Sequence, residues 1–339
     1  MLRFPENKKF DAVLLGRVAL DINPVDFTKT FAENPTFHKY VGGSPANTAV
    51  GMAKMGLNVG IISCVSDDSL GEYCTQYMKD NGVDTEGISL AEKGVTLGLS
   101  FVEIKNGATN LMMYRSGDGK NVADLSLSPE SISEDYIRSA RLLLISGTAL
   151  AASPSREAAI KAMFLAHKHD IPIVFDIDYR PQTWQSADET SVYYTIAGRY
   201  AKIILGSREE FDLMDSIVQP NASDEATAKH WFSLGAEILV IKHGKDGSRA
   251  YLADGRSFTV KPFPIDFLKA TGGGDAYSSA FLSALLKGLP IEQCLERGTA
   301  SASLAVAATN CSDALPTEET LVNFIEDAHT KGVQTVFEN

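Results

Sequence analysis

Cysteine is scarce in this sequence. The four present, Cys64, Cys74, Cys294 and Cys311, form no Cys-x-x-Cys pair, and the six histidines supply neither a His-Glu-x-x-His motif nor a metal-type spacing on a helix face, which argues against cysteine or zinc chemistry. Long apolar runs are missing too: none approaches the ~18 residues of a membrane span. The start, Met1 to Asp21, interrupts its apolar residues with Arg3, Glu6, Lys8, Lys9, Asp11 and Arg17, so it lacks the continuous apolar core of a signal peptide. A soluble cytoplasmic protein is expected, and unpaired cysteines suit a reducing compartment. Positive charge is short as well. With 31 Lys and Arg against 43 Asp and Glu, the net charge is −12, which disfavours nucleic acid as a partner because phosphate backbones are held by clustered cations. A phosphorylated ligand needs a local cationic site. Neither a Walker A motif nor G-x-G-x-x-G occurs, so the common P-loop and dinucleotide fingerprints are absent.

What is present is a rhythm. Short apolar runs alternate with helical patterns: Ala12–Leu15 then a helix from Ser44, Val59–Ile62 then a helix from Ser69, Leu142–Ile145 then a helix from Ser153. Runs at 172–175, 201–205 and 238–241 continue it, each continuous rather than alternating, as strands buried on both faces should be. The pattern predicts an α/β fold, a doubly wound and mainly parallel sheet with helices on both faces. Ser44-Pro45 and Ser153-Pro154 read as a side-chain cap followed by a first-turn proline, and Gly56 as the end of the helix that Ser44 opens. No repeat or linker divides the chain, so one domain over 1–339 is expected. Residues 17–42 and 94–122 break the rhythm. Strand-like without helices, and alternating from Thr96 to Ile104, they predict a small separate β-sheet acting as a lid.

The segment Thr271-Gly272-Gly273-Gly274-Asp275 leads into an amphipathic helix. Glycines allow close backbone approach to a phosphate, and the free N–H groups of a first helical turn favour an anion. Asp275 beside a transferred phosphoryl group would take the proton of an acceptor hydroxyl. On this segment alone a helix-capping aspartate fits equally well.

Read together, the motifs carry a resemblance. The Gly272–Asp275 segment resembles the C-terminal signature of the phosphofructokinase-B, or ribokinase-like, carbohydrate kinases. Gly42-Gly43-Ser44-Pro45-Ala46-Asn47 resembles that family's double-glycine sugar-binding turn. The resemblance implies Asp275 as base, Gly272, Gly273 and Gly274 as anion cradle, and Asp21, Gly43 and Asn47 as sugar contacts. It implies that the loop Lys242-His243-Gly244-Lys245-Asp246-Gly247 serves the nucleotide, with Lys242, Gly244 and Gly247 as its contacts. Glu209 stands at the acidic end of the family's Asn-x-x-Glu motif, where it would organise Mg²⁺ through water; Gly206 then replaces the asparagine, and Ala270 replaces an acidic residue before the glycines. Asp176 to Arg180 resembles the Asp-x-Asn-x-Arg region of the family's keto-deoxy-sugar-acid kinases, with Asp178 in place of asparagine.

Arg115, in the lid region, and Arg180 are the candidates to orient an acid, since guanidinium pairs bidentately with carboxylate. The implied reaction moves the γ-phosphoryl of ATP to the terminal hydroxyl of a sugar acid. The resemblance also implies a homodimer through the lid sheets and leaves a requirement for a monovalent cation open. A catalytically silent sugar or nucleotide sensor stays open because of Gly206 and Ala270; a nicotinamide oxidoreductase is disfavoured by the missing G-x-G-x-x-G.

Overall fold

The structure, a computed structural model, describes residues 2–105, 108–115, 121–269, 271–309 and 312–339. Ala270, Cys311 and residues 106–107 and 116–120 of the expected lid lie outside the described residues. In chain order the strands are β1 (Ala12–Leu15), β2 (Ala19–Pro24), β3 (Phe37–Gly42), β4 (Val59–Val65), β5 (Val83–Leu90), β6 (Leu99–Lys105), β7 (Ala108–Tyr114), β8 (Leu143–Ser146), β9 (Ile173–Asp176), β10 (Ile203–Ser207), β11 (Ile238–Lys242), β12 (Ser248–Leu252), β13 (Ser257–Val260) and β14 (Val336–Glu338). The helices are α1 (Ser44–Lys54), α2 (Ser69–Asp80), α3 (Glu134–Arg138), α4 (Ser155–Lys168), α5 (Ala187–Tyr200), α6 (Arg208–Asp215), α7 (Asp224–Ser233), α8 (Gly273–Leu286), α9 (Ile291–Val306) and α10 (Glu318–Thr330).

The large sheet runs β14-β13-β12-β11-β10-β9-β8-β1-β4-β5. Neighbours from β5 to β11 are parallel, and β12, β13 and β14 extend that edge antiparallel. The expected apolar strands form because both faces are covered. In β1, Ala12 and Leu14 enter the core beneath α1, α2, α8 and α9, whereas Val13 and Leu15 enter the core beneath α3 to α7. A strand with two dry faces has no polar position, which explains its unbroken apolar sequence. Successive parallel strands proceed to one side of the pair β1/β8 as β1, β4, β5 and to the other as β8, β9, β10, β11. That reversal leaves a crevice at the carboxyl ends of the strands, where ligands bind in open α/β sheets.

A second sheet, in the order β3-β2-β6-β7, is formed by the segments that broke the rhythm. Its β2 and β6 pair in parallel, and its other pairs are antiparallel. The alternation from Thr96 is only partly a strand: β6 begins at Leu99, and Thr96 forms an isolated bridge with Val122.

Two expected caps differ from the structure. Gly43, not Ser44, is the N-cap of α1, and Ser44 is already the first helical residue. Pro154 occupies the N-cap position of α4, while the Ser153 hydroxyl donates to Glu157 at 2.7 Å. Gly56, with φ 82°, follows the end of α1 as expected. Cys64, Cys74 and Cys294 are free and buried, and among the described residues no helix is long and apolar enough to cross a membrane.

Phe175, fully buried in β9, packs edge-on against Tyr194 one residue before the site carboxylate Asp176. Phe175→Ala is expected to lower stability by about 3–5 kcal/mol through the cavity it leaves, read as a shift of the urea midpoint with unchanged slope.

Candidate active site

A cavity of about 1240 Å³ opens at the carboxyl ends of the parallel strands and is roofed by Asp21, Ser100, Val102, Leu111 and Met113 of the small sheet. Its floor includes the start of α8. Gly272, at φ 86°, takes the left-handed conformation that favours glycine and turns the chain into the helix without a side-chain cap. Asp275 is therefore not the cap; it stands in the first turn, and its Oδ2 accepts a hydrogen bond of 2.6 Å from Asn47 Nδ2. The N–H groups at the start of this helix have no intrahelical acceptors and carry its positive end. Lys242 reaches the same turn: a Cβ on Gly274 would lie 3.5 Å from its Nζ.

Asn47 is nearly inaccessible and held at both ends. Its Oδ1 accepts from Ser312 Oγ at 2.7 Å, which aims the amide nitrogen at Asp275. Burial raises the Asp275 pKa above the ordinary carboxylate value, and the Asp178 charge adds to this; Asn47, Arg180 and Ser44 work in the opposite direction. The result is a stronger base than a solvated aspartate that still has donors to steady its ionised form.

Beneath the small sheet, Asp21 in β2 accepts from Ser100 and is likewise pushed up by burial, against that bond and the charges of Arg17, Lys269 and Arg180. Gly43, at φ 99°, has no room for a side chain because a Cβ would sit 2.3 Å from the Arg17 carbonyl oxygen. Arg180 pairs with Asp178 at 2.6 Å. Burial opposes the Arg180 charge, but Asp178, Asp275 and Glu210 outweigh it and hold its pKa above the usual value. Asp178 itself, at φ 39°, is a non-glycine residue in the left-handed region, a strained conformation of the kind that collects at functional sites. Ser146 Oγ fixes its carboxylate at 3.0 Å. Asp176 accepts from Ser278 at 2.9 Å, and burial pushes its pKa up to about 7 despite Lys242.

Lys242, Gly244 and Gly247 line the cavity near an apolar wall that sequence reasoning missed. That wall is Phe263, Pro264, Ile265 and Phe267 from the run after β13, facing Thr299, Ala302, Ser303 and Val306 of α9. The α9 residues share one helix face by their 3-1-3 spacing. In sequence that stripe is indistinguishable from ordinary core.

Two candidate residues are elsewhere. Arg115 does not line the cavity: its fully buried guanidinium donates through Nε and Nη2 to Asp124 at 3.0 and 2.6 Å and through Nη2 to the Thr148 carbonyl at 3.0 Å, so its charge is met inside the protein although Nη1 has no partner among the described residues. Glu209 does not line the cavity either, because one residue of helix rotation carries it off the face. Ser207 and Glu210 line it, so the three-residue spacing begins one position later than expected. Glu210 accepts from the Ser207 and Tyr179 backbone N–H groups, both at 2.7 Å, and closes a capping box. Gly206 faces Ile177, 2.6 Å from where its Cβ would be, so it is a packing position rather than a replaced ligand. The Ser-x-x-Glu capping pattern was the available signal for Glu210. Arg17, which lines the cavity next to Gly43, was also missed.

A buried carboxylate in the first turn of a glycine-led helix, the cations Arg17, Arg180 and Lys242 and an apolar wall beside a glycine loop line one cavity, an arrangement suited to phosphoryl transfer. The chain belongs to the pfkB family of carbohydrate kinases, whose pattern matches residues 9–318. It is 49% identical over 326 residues to a protein of Clostridium perfringens named 5-dehydro-2-deoxygluconokinase, covering 96% of this chain and 95% of that one. A protein of the same name from Clostridium beijerinckii is 49% identical over 328 residues, 96% of each. Among solved structures, the PfkB protein from Polaromonas sp. JS666 superposes with a TM-score of 0.79 at 25% identity, over 92% of this chain and 99% of that one. A fructokinase with bound ATP from Xylella fastidiosa shares the fold, at a TM-score of 0.82 and 20% identity, over 94% and 99%.

Removing the Asn47 donor in Asn47→Leu takes away a bond that favours ionised Asp275. The acidic limb of the kcat/KM profile is expected to move to higher pH, so that activity falls more at pH 6 than at pH 8.

Proposed function

We propose that this protein is a cytoplasmic kinase that transfers the γ-phosphoryl group of ATP to the terminal 6-hydroxyl of 5-dehydro-2-deoxy-D-gluconate, yielding the 6-phosphate and ADP in inositol catabolism. The position of Asp275 carries the reading. It stands inside the cavity, in the first turn of α8, with Gly272–Gly274 and Lys242 beside it. The choice of acid follows the names of the relatives at 46–49% identity.

In this reading the Asp275 carboxylate takes the proton of the 6-hydroxyl as that oxygen attacks the γ-phosphorus and the bond to the ADP oxygen breaks. The amides of the α8 first turn and the Lys242 ammonium face the equatorial oxygens, where charge gathers in the transition state. Asp21, Gly43, Asn47 and Arg180 contact the sugar acid. Gly244, Gly247 and Lys242 approach the phosphates, and the apolar wall of Phe263, Ile265 and α9 encloses the base. Asp176, Asp178, Glu210 and Asp275 form an oxygen-rich region in which burial, and after it the neighbouring carboxylates, raises Asp176; among the described residues no three such groups cluster as direct metal ligands, and this donor chemistry fits Mg²⁺ held through water. When bound, that ion neutralises phosphate charge; Asp176 and Glu210 would hold it through water. The small sheet excludes water from the transferred group.

The test is magnesium-dependent ADP release with the acid, with and without potassium. Asp275→Asn is expected to cut kcat by about 100- to 10 000-fold while leaving ATP binding in place. Turnover of 2-dehydro-3-deoxygluconate alone would replace the substrate, and turnover of neither acid would remove the reading.

The outer face of the small sheet supports a homodimer. Phe31, Phe37, Phe101 and Tyr114 touch one another there, away from the cavity, and Tyr114 is 66% exposed. Such a patch on a lid favours association. Tyr114→Glu is expected to turn a dimer into a monomer by light scattering; a wild-type monomer at micromolar concentration would exclude this arrangement.

A further inference from the structure

We infer that Arg17 is the residue that reads the negative charge of the acceptor and so restricts this kinase to acids; the inference rests on the proposed sugar-acid reading. Arg17 follows the carboxyl end of β1 and lies on the cavity wall beside Asp21, Gly43 and Ser44. Its stem runs beneath the double-glycine turn, 3.5 Å from Cγ to where a Gly43 Cβ would be. The residue is only 8% exposed. Among the described residues it nevertheless has no ion-pair partner, and its Nε is buried without a hydrogen bond.

The surrounding charges show why this stands out. Asp178, Arg115, Arg180 and Asp124 all act on Arg17. Arg115 is paired with Asp124 at 2.6 Å, and Arg180 with Asp178 at 2.6 Å. Asp21 feels the Arg17 charge, but its bond goes to Ser100. Two of the three guanidiniums are matched by a carboxylate from the chain, and the third is left with an open cavity in front of it. A buried guanidinium without a counterion is costly, and a planar fork of donors fits a carboxylate better than it fits any hydroxyl.

A sugar acid completes this arrangement. A neutral sugar of the same shape leaves Arg17 unpaired, and a site whose buried polar group goes unmet discriminates strongly against the analogue that lacks the partner. Arg17 lies at the sugar side, by Asp21 and Gly43, and the apolar wall is formed by other elements. Its loss should therefore touch the acid and leave the nucleotide alone.

Wild-type turnover of 5-dehydro-2-deoxygluconate is measured first; its absence removes the functional reading and this inference with it. With turnover established, Arg17→Gln is compared with wild type on the acid and on the neutral ketohexose D-fructose. The expected result is a rise in KM for the acid on the order of 100-fold, an unchanged KM for ATP, and an acid-to-fructose ratio of kcat/KM that falls by the same factor. An unchanged ratio, or a change in the KM for ATP in place of that for the acid, overturns the inference while leaving the function standing. If Arg17→Gln does not fold, Arg17→Lys decides: the charge remains but the fork is lost, and the KM for the acid must still rise with that for ATP constant.

Discussion

The hydrogen bond from Asn47 to Asp275 joins the starts of two helices that are 228 residues apart in the chain. It depends on α1 and α8 packing closely enough for their first turns to meet. Small residues permit this: a Cβ on Gly51 of α1 would lie 2.5 Å from the Ser279 hydroxyl of α8, and Ala46, Ala49 and Ala276 fill the same core. Ser312 then fixes the amide from behind. The Asp275 carboxylate is thus oriented by core packing between the two halves of the chain, and the double-glycine turn and the glycine-led start of α8 become parts of one cavity for the same reason.

Around that bond the protein concentrates like charge. Asp176, Asp178, Glu210 and Asp275 line one cavity of a chain that is already strongly acidic. Asp176, raised first by burial and then by these neighbours, shows the consequence for stability. Its folded pKa of about 7 lies above the ordinary carboxylate value, so the folded state holds its proton longer than the unfolded chain does. Its contribution is present at low pH and is lost as pH rises from the ordinary carboxylate range through 7.

Much of the architecture was legible because burial on two faces leaves an unmistakable mark. The runs beginning at Ala12, Val59, Leu142, Pro172, Ala201 and Ile238 are continuous rather than alternating, and all became parallel strands within a few residues of the expected bounds. Helix starts were less legible where a serine preceded a proline. At Ser44 the adjacent Gly43 could occupy the cap conformation, and at Ser153 the helix began two residues later. Glu209 and Glu210 are adjacent acids, and only the helix rotation that places Ser207 at the cap decides which faces the cavity. Arg115 and Arg17 are equally plausible cations in one dimension. Arg115 is neutralised by Asp124 nine residues on, whereas Arg17 lacks such a partner among the described residues.

The sequence alone determined the fold class and the glycine-led start of α8 with an acid in its first turn, because these rest on local rules: continuous apolar runs, glycine conformations and an acid at a helix start. The tertiary structure alone decided which arginine remains unpaired and which apolar residues wall the cavity. Those properties belong to pairs of distant residues, and no local pattern records whether a charge has met its partner.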